Sequence, residues 1–142
     1  MVIYRLMHYH GCTEDTHGNA ISLGYYKDLA TIYQVEKQYR KLPGFSQYPN
    51  GFCIFEVVVS GEGEIENDIV YEVGIEIHDE DYDLDWVSFP GVFSRDVDAE
   101  EVSKKFETQN KEFLQNAGLI IECTISLCRL DEMEWREGFH SI

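Results

Sequence analysis

The sequence predicts an α+β fold, arranged as a duplicated ββαβ unit with a mostly antiparallel sheet and two helices packed on one face. Three observations predict it. Apolar residues alternate with polar ones in several short segments, as half-buried strands require. Two longer segments carry helical spacing with start and stop signals. The order strand, strand, helix, strand then occurs twice.

Residues 2–10 read as a strand with Val2, Tyr4 and Leu6 on one face, followed by a polar loop from Gly11 to Asn19 and a second strand from Ala20 to Tyr26. From Asp28 to Leu42 the spacing becomes helical, with Leu29, Ile32, Tyr33, Tyr39 and Leu42 on one broad face, and Pro43-Gly44 stops it. Phe52 to Val59 is an apolar strand. Ile69, Tyr71, Val73, Ile75 and Ile77 then alternate with Glu72, Gly74, Glu76 and His78. Trp86 to Ser94 gives the next strand, in which Pro90 favours an edge or a bulge.

The second helix is expected to start at Asp98 as cap, with Glu101 completing a capping box and Val97 stapled to Val102. Val102, Phe106, Phe113, Leu114 and Ala117 form its core face and Gly118 ends it. Ile121, Cys123, Ile125 and Leu127 mark the last strand. Gly24-Tyr25-Tyr26-Lys27-Asp28 lines up with Gly91-Val92-Phe93-Ser94-Arg95-Asp96 just before each helix. The expected organisation is one domain over 1–142, with repeat-like halves at about 1–60 and 68–130 and a carboxyl-terminal tail at 131–142.

Composition narrows the class. Hydrophobic residues make up 44% and aromatic residues 13%, too many for a disordered acidic tail. No run approaches the roughly 18 to 20 apolar residues that cross a bilayer, and the opening MVIYRLMHYH lacks the regions of a signal peptide, so a cytoplasmic location is expected. Cys12, Cys53, Cys123 and Cys128 are scattered without a C-x-x-C pair and are expected as buried free thiols.

The formal net charge is −16, and its distribution is uneven. Residues 42–94 contain twelve acidic residues and no Lys or Arg. Such a field repels nucleic acid and anionic membranes and raises the encounter rate with a basic protein.

Asp79, Asp81, Asp83 and Asp85 alternate like the opening of a calcium loop, but the positions that need Gly and a bidentate acid hold Leu84 and Pro90. Tyr82 and Trp86 interleave with the acids, the combination protein interfaces use. The partner-binding surface is therefore expected at Glu72, Glu76, Asp79, Glu80, Asp81, Tyr82, Asp83, Asp85 and Trp86. His8, His10 and His17 could offer three imidazoles to a metal, although surface or hairpin histidines are the expectation. No catalytic residue, metal ligand set or cofactor is assigned, since no nucleophile elbow, zinc-protease helix, phosphate loop or dinucleotide fingerprint occurs.

Gly24-Tyr25-Tyr26, Leu42-Pro43-Gly44-Phe45, Asn50-Gly51-Phe52 and the closing Trp135-x-Glu137-Gly138-Phe139 together resemble a family of small, largely uncharacterised bacterial proteins. The resemblance covers about half the chain and carries over no catalytic residues. In size and acidity the chain is also similar to immunity proteins of polymorphic and contact-dependent toxin systems. That likeness implies a cytoplasmic inhibitor of a basic toxin domain, such as a nuclease. The alternative is a small-ligand or divalent-metal-binding domain that uses the face around His8 and His10 or the acidic loop.

Overall fold

The computed structural model describes residues 1–10 and 20–140. Its elements are β1 (Val2–Tyr9), β2 (Ala20–Tyr26), α1 (Leu29–Tyr39), a 3-10 turn (Phe45–Gln47), β3 (Phe52–Ser60), β4 (Ile69–His78), β5 (Asp85–Phe93), α2 (Asp96–Asn116) and β6 (Ile120–Arg129). The fold is α+β, with strands paired mostly antiparallel. The chain divides into two compact units, Met1–Val58 with Arg129–Ile142, and Val59–Cys128. The expected loop Gly11–Asn19, with Cys12 and His17, lies outside the described residues. No helix among the described residues is long and apolar enough to cross a membrane.

In the first unit the central strand β1 pairs antiparallel with β2 on one side and β3 on the other. Between Arg5 and Met7 the β1–β2 register slips, because three steps along β2 oppose two along β1. This bulge, at Leu23-Gly24, interrupts the alternation. The register with β3 is unbroken, so the buried residues of β1 come from both faces, Ile3 on one and Leu6 and His8 on the other, rather than Val2, Tyr4 and Leu6 on one face as expected.

Asp28 caps α1 by accepting the Thr31 N–H at 2.7 Å. The helix buries Ile32, Val35 and Tyr39, while Leu29 and Tyr33 are exposed, so the inward stripe is narrower than the apolar residues suggest.

The carboxyl-terminal segment returns to this unit. The Asp131 N–H donates to the Tyr25 carbonyl, the Tyr39 hydroxyl to the Glu134 carbonyl and the Phe139 N–H to the Pro43 carbonyl. Phe139 is buried against Phe45, with ring centroids 4.7 Å apart. Leu42-Pro43-Gly44-Phe45 and Trp135-x-Glu137-Gly138-Phe139 are thus two halves of one lock. Gly138, at φ +79°, lies so close to Pro43 that a Cβ there would overlap the Pro43 carbonyl. Burial raises the pKa of the Tyr26 and Tyr39 hydroxyls, that of Tyr39 to about 12.

In the second unit β4 is flanked by β5 and β6, and the end of β3 adds a short parallel bridge, Val59 to Val92 and Ser60 to Phe93. The β4–β5 register also slips, between Val73 and Ile75, with the extra residue on β5 at Phe89-Pro90. A proline fits there because a bulge leaves a residue outside the ladder. Val73, Ile75, Phe93 and Ala99 make the core, with Tyr71, Ile77, Val102, Phe106, Ile121 and Cys123 packed against it.

Helix α2 begins two residues before the expected cap, with extended Arg95 at the N-cap position. Asp98 instead accepts from the Arg95 guanidinium at 3.0 Å and from the Glu62 N–H at 3.1 Å, and Val97 is exposed, so neither capping box nor staple forms. The helix buries Ala99, Ser103 and Leu114, whereas Phe113 is 75% exposed and Ala117 is exposed. Gly118 closes it as expected: at φ +75° it lets the Leu119 N–H reach the Leu114 carbonyl at 2.8 Å and its own N–H reach Gln115 at 3.0 Å. On β6, Cys123 is half-buried but Ile125 and Leu127 are exposed, against expectation. Cys53, Cys123 and Cys128 are free thiols, half-buried rather than buried.

Candidate functional site: the acidic β4–β5 hairpin

Asp79 to Leu84 link β4 to β5, and the link closes on itself. The Asp79 N–H donates to the Leu84 carbonyl at 3.2 Å, and the Asp79 carboxylate accepts the Asp83 N–H at 2.9 Å. A short aspartate side chain mimicking a backbone turn is a standard way to start such a loop. Tyr82 takes a left-handed backbone, φ +57°, which turns its ring back onto the hairpin. The ring stacks on His78 with centroids 3.9 Å apart and planes 9° from parallel.

Directly paired residues of antiparallel strands share a face. His78 opposes Asp85 and Glu76 opposes Val87, so these four lie on one face, with Tyr82 over His78. Ile77 opposes Trp86, which places Trp86 on the other face, the one Ile77 shares with the α2-covered core. The two aromatics singled out from sequence therefore lie on opposite faces of the hairpin. Both remain open to solvent, Tyr82 at 53% and Trp86 at 51%. Glu80, Asp81 and Asp83 are exposed in the loop, Asp85 is exposed at the start of β5, and Glu72, Glu76 and Asp79 are half-buried.

The structure adds residues that the sequence did not single out. Val87 and Phe89 are exposed on β5, and Phe89 lies over Gly74. Asp79, Glu80 and Asp81 line an open depression with Gln115, Gly118, Leu119 and Ile120, at the carboxyl end of α2. Unpaired carbonyls give a helix end a partial negative charge, so helix and loop both favour a cation there.

Glu122 reaches the same face from β6. Its carboxylate lies 3.2 Å from His78 Nε2, while His78 Nδ1 lies 2.7 Å from the Asp79 carbonyl. A carbonyl only accepts, so Nδ1 carries the hydrogen and Nε2 faces the carboxylates. Only 3% of His78 reaches solvent, under a thin cover made largely by the Tyr82 ring. The hydrogen bond to Asp79 and the carboxylates of Glu122 and Glu76 raise the His78 pKa. That of Glu76 is raised too, first by sharing a hydrogen bond with Asp85 and then by desolvation. His78 was expected to point outward as a simple alternating polar residue. An acid two residues before a histidine on one strand is the signal for it, but Glu122 becomes visible only once β6 lies beside β4.

His8 and His10, expected at the surface, are buried among Phe45, Tyr48, Phe52 and Phe139. His8 Nε2 lies 2.9 Å from the Tyr48 carbonyl and must donate to it, so His8 Nδ1 accepts from His10 Nδ1 at 3.0 Å. Both nitrogens of His8 are thereby used, and desolvation lowers the pKa of both rings. The pair is a neutral core element rather than an open ligand set.

Compared with protein-family models, with curated proteins and with solved structures, the chain matches none.

Proposed function

We propose that this protein is an acidic inhibitor of the immunity-protein kind, which binds and neutralises a basic protein, most simply a nuclease toxin domain in a bacterial cytoplasm. The observation that carries the reading is the β4–β5 hairpin. Exposed Tyr82, Trp86, Val87 and Phe89 stand among carboxylates, in a stretch of chain with no Lys or Arg. Carboxylates steer a basic partner and aromatic side chains hold it after contact. The depression at the end of α2 suits a lysine or arginine side chain of that partner.

We also infer that the two ββαβ segments are copies of one unit. Strand order β2-β1-β3 matches β5-β4-β6, and each hairpin carries its extra residue on the second strand, just ahead of Tyr25-Tyr26 and Val92-Phe93. On this reading the second copy carries the partner surface.

The test is binding to a basic nuclease toxin domain, with association followed by stopped flow. Replacing Glu80, Asp81 and Asp83 by Lys should slow association about tenfold or more at low salt and abolish protection in co-expression. An unchanged rate and intact protection would remove the hairpin as the contact surface.

A further inference from the structure

We propose that Glu76, His78 and Glu122 form a binding site for one divalent first-row transition metal ion, with Asp85 beside it as a supporting carboxylate. This goes beyond the inhibitor reading and does not depend on it. One ligand atom from each of the three residues can be chosen so that all lie within 4.8 Å of one another. A zinc ion bound at about 2.1 Å holds its ligands about 3.0 to 3.5 Å apart, so closing the set asks for about an ångström of movement. The flexible Glu122 side chain, half exposed, supplies that movement most easily.

The arrangement is more than a gathering of acids. His78 is almost fully buried and its ring is fixed twice, by the Nδ1–H bond to the Asp79 carbonyl and by the Tyr82 stack. Metal-binding histidines are oriented by this kind of bond, a carbonyl holding one nitrogen so that the other presents its lone pair. Here the presented Nε2 faces Glu122. Among the described residues no lysine or arginine pairs with Glu76 or Glu122. A metal ion would bring to Glu76 and Glu122 the positive charge that no basic side chain supplies there.

The donor set also selects the ion. Calcium and magnesium take oxygen ligands, whereas one imidazole with two carboxylates suits zinc, manganese or cobalt and leaves a coordination position to water. Backbone fixes two ligands, since Glu76 and His78 are two apart on β4, and β6 supplies the third from the neighbouring strand.

The experiment is calorimetric titration of the full chain with ZnCl2 near neutral pH, alongside CoCl2 followed by visible absorption. One equivalent binding at micromolar concentration or below is expected, with cobalt bands that lack a thiolate charge-transfer band. His78→Gln and Glu122→Gln should each weaken binding about tenfold or more, while Asp81→Asn with Asp83→Asn should leave it unchanged. Because Glu122 is half exposed, Glu122→Gln keeps the fold, so its circular dichroism should match the parent while its zinc-induced rise in Tm shrinks. Affinity only in the millimolar range, equal affinity in His78→Gln, or displacement by equimolar calcium would each overturn the site. The zinc titration needs no partner protein, so its failure leaves the inhibitor reading to its own test.

Discussion

Gly138→Ala should cost the first unit far more than its single added methyl group suggests. Gly138 and Gly118 share a left-handed backbone, φ +79° and +75°, so alanine pays the same conformational cost at either, about 1 to 2 kcal/mol. They differ in what the new Cβ meets. At Gly118 nothing lies within 4 Å, whereas at Gly138 the Cβ overlaps the Pro43 carbonyl and sits 2.9 Å from its ring. Neither obstacle is the end of a flexible side chain.

The tail must lift, and with it the Phe139 N–H bond to Pro43 and the buried Phe139 ring. Losing a fully buried phenylalanine costs about 3 to 5 kcal/mol, a large share of the 5 to 15 kcal/mol typical of a whole domain. The total for Gly138→Ala is therefore about 4 kcal/mol or more, against about 1 to 2 kcal/mol for Gly118→Ala. Urea unfolding read by tryptophan fluorescence in a Trp86→Phe background makes Trp135 the only reporter, and it sits on the tail in question. Proteolysis should release the tail of Gly138→Ala early. Equal losses of about 1 kcal/mol in the two variants would refute the lock between Pro43 and Gly138.

Three other outcomes are expected. His8 and His10 are neutral in the fold with lowered pKa values, so stability of the first unit is complete above the unfolded value near 6.5 and falls as pH drops below it, by at most about 1.4 kcal/mol per pH unit for each ring; NMR titration showing either ring charged at pH 6.5 would contradict this. His78, raised by its partners, behaves in the opposite sense: its contribution to the second unit is complete below 6.5 and fades as pH rises through its higher folded value, which the pH profile of its ring protons would reveal. Tyr39→Phe removes the buried hydroxyl's hydrogen bond to the Glu134 carbonyl and should cost about 1 to 2 kcal/mol by urea denaturation.

Much of this architecture was legible from periodicity. The eight regular strands and helices among the described residues follow from apolar spacing, Pro90 marked an edge or a bulge and sits at a bulge, and Gly118 marked its helix end. What misled was the assumption that apolar residues mark the contact line. Helix α2 approaches the sheet through Ala99 and Ser103, where small side chains permit close packing, so the apolar Phe113 falls to the side. The cap was misplaced because Asp98 has a better partner in Arg95, an ion pair that local pattern does not rank above capping. His8 and His10 looked like hairpin polars because the aromatic shell around them comes from residues 45–52 and 139, distant in sequence. The acidic stretch was legible as charge, but the division of Tyr82 and Trp86 between two faces depended on register.

The return of the tail to the first unit also sets a schedule for synthesis. The ribosome makes residues 59–128, all that the second unit contains, before it makes Phe139. The sequence of the second unit is thus complete while the first still lacks the ring that fills its core and the backbone donor that Pro43 awaits. During that interval Phe45, His8 and His10 have no lid, and an apolar cavity faces water. The first unit to be started is thus the last to be complete, and a released chain truncated a few residues short of position 139 should expose that cavity to chaperones or proteases.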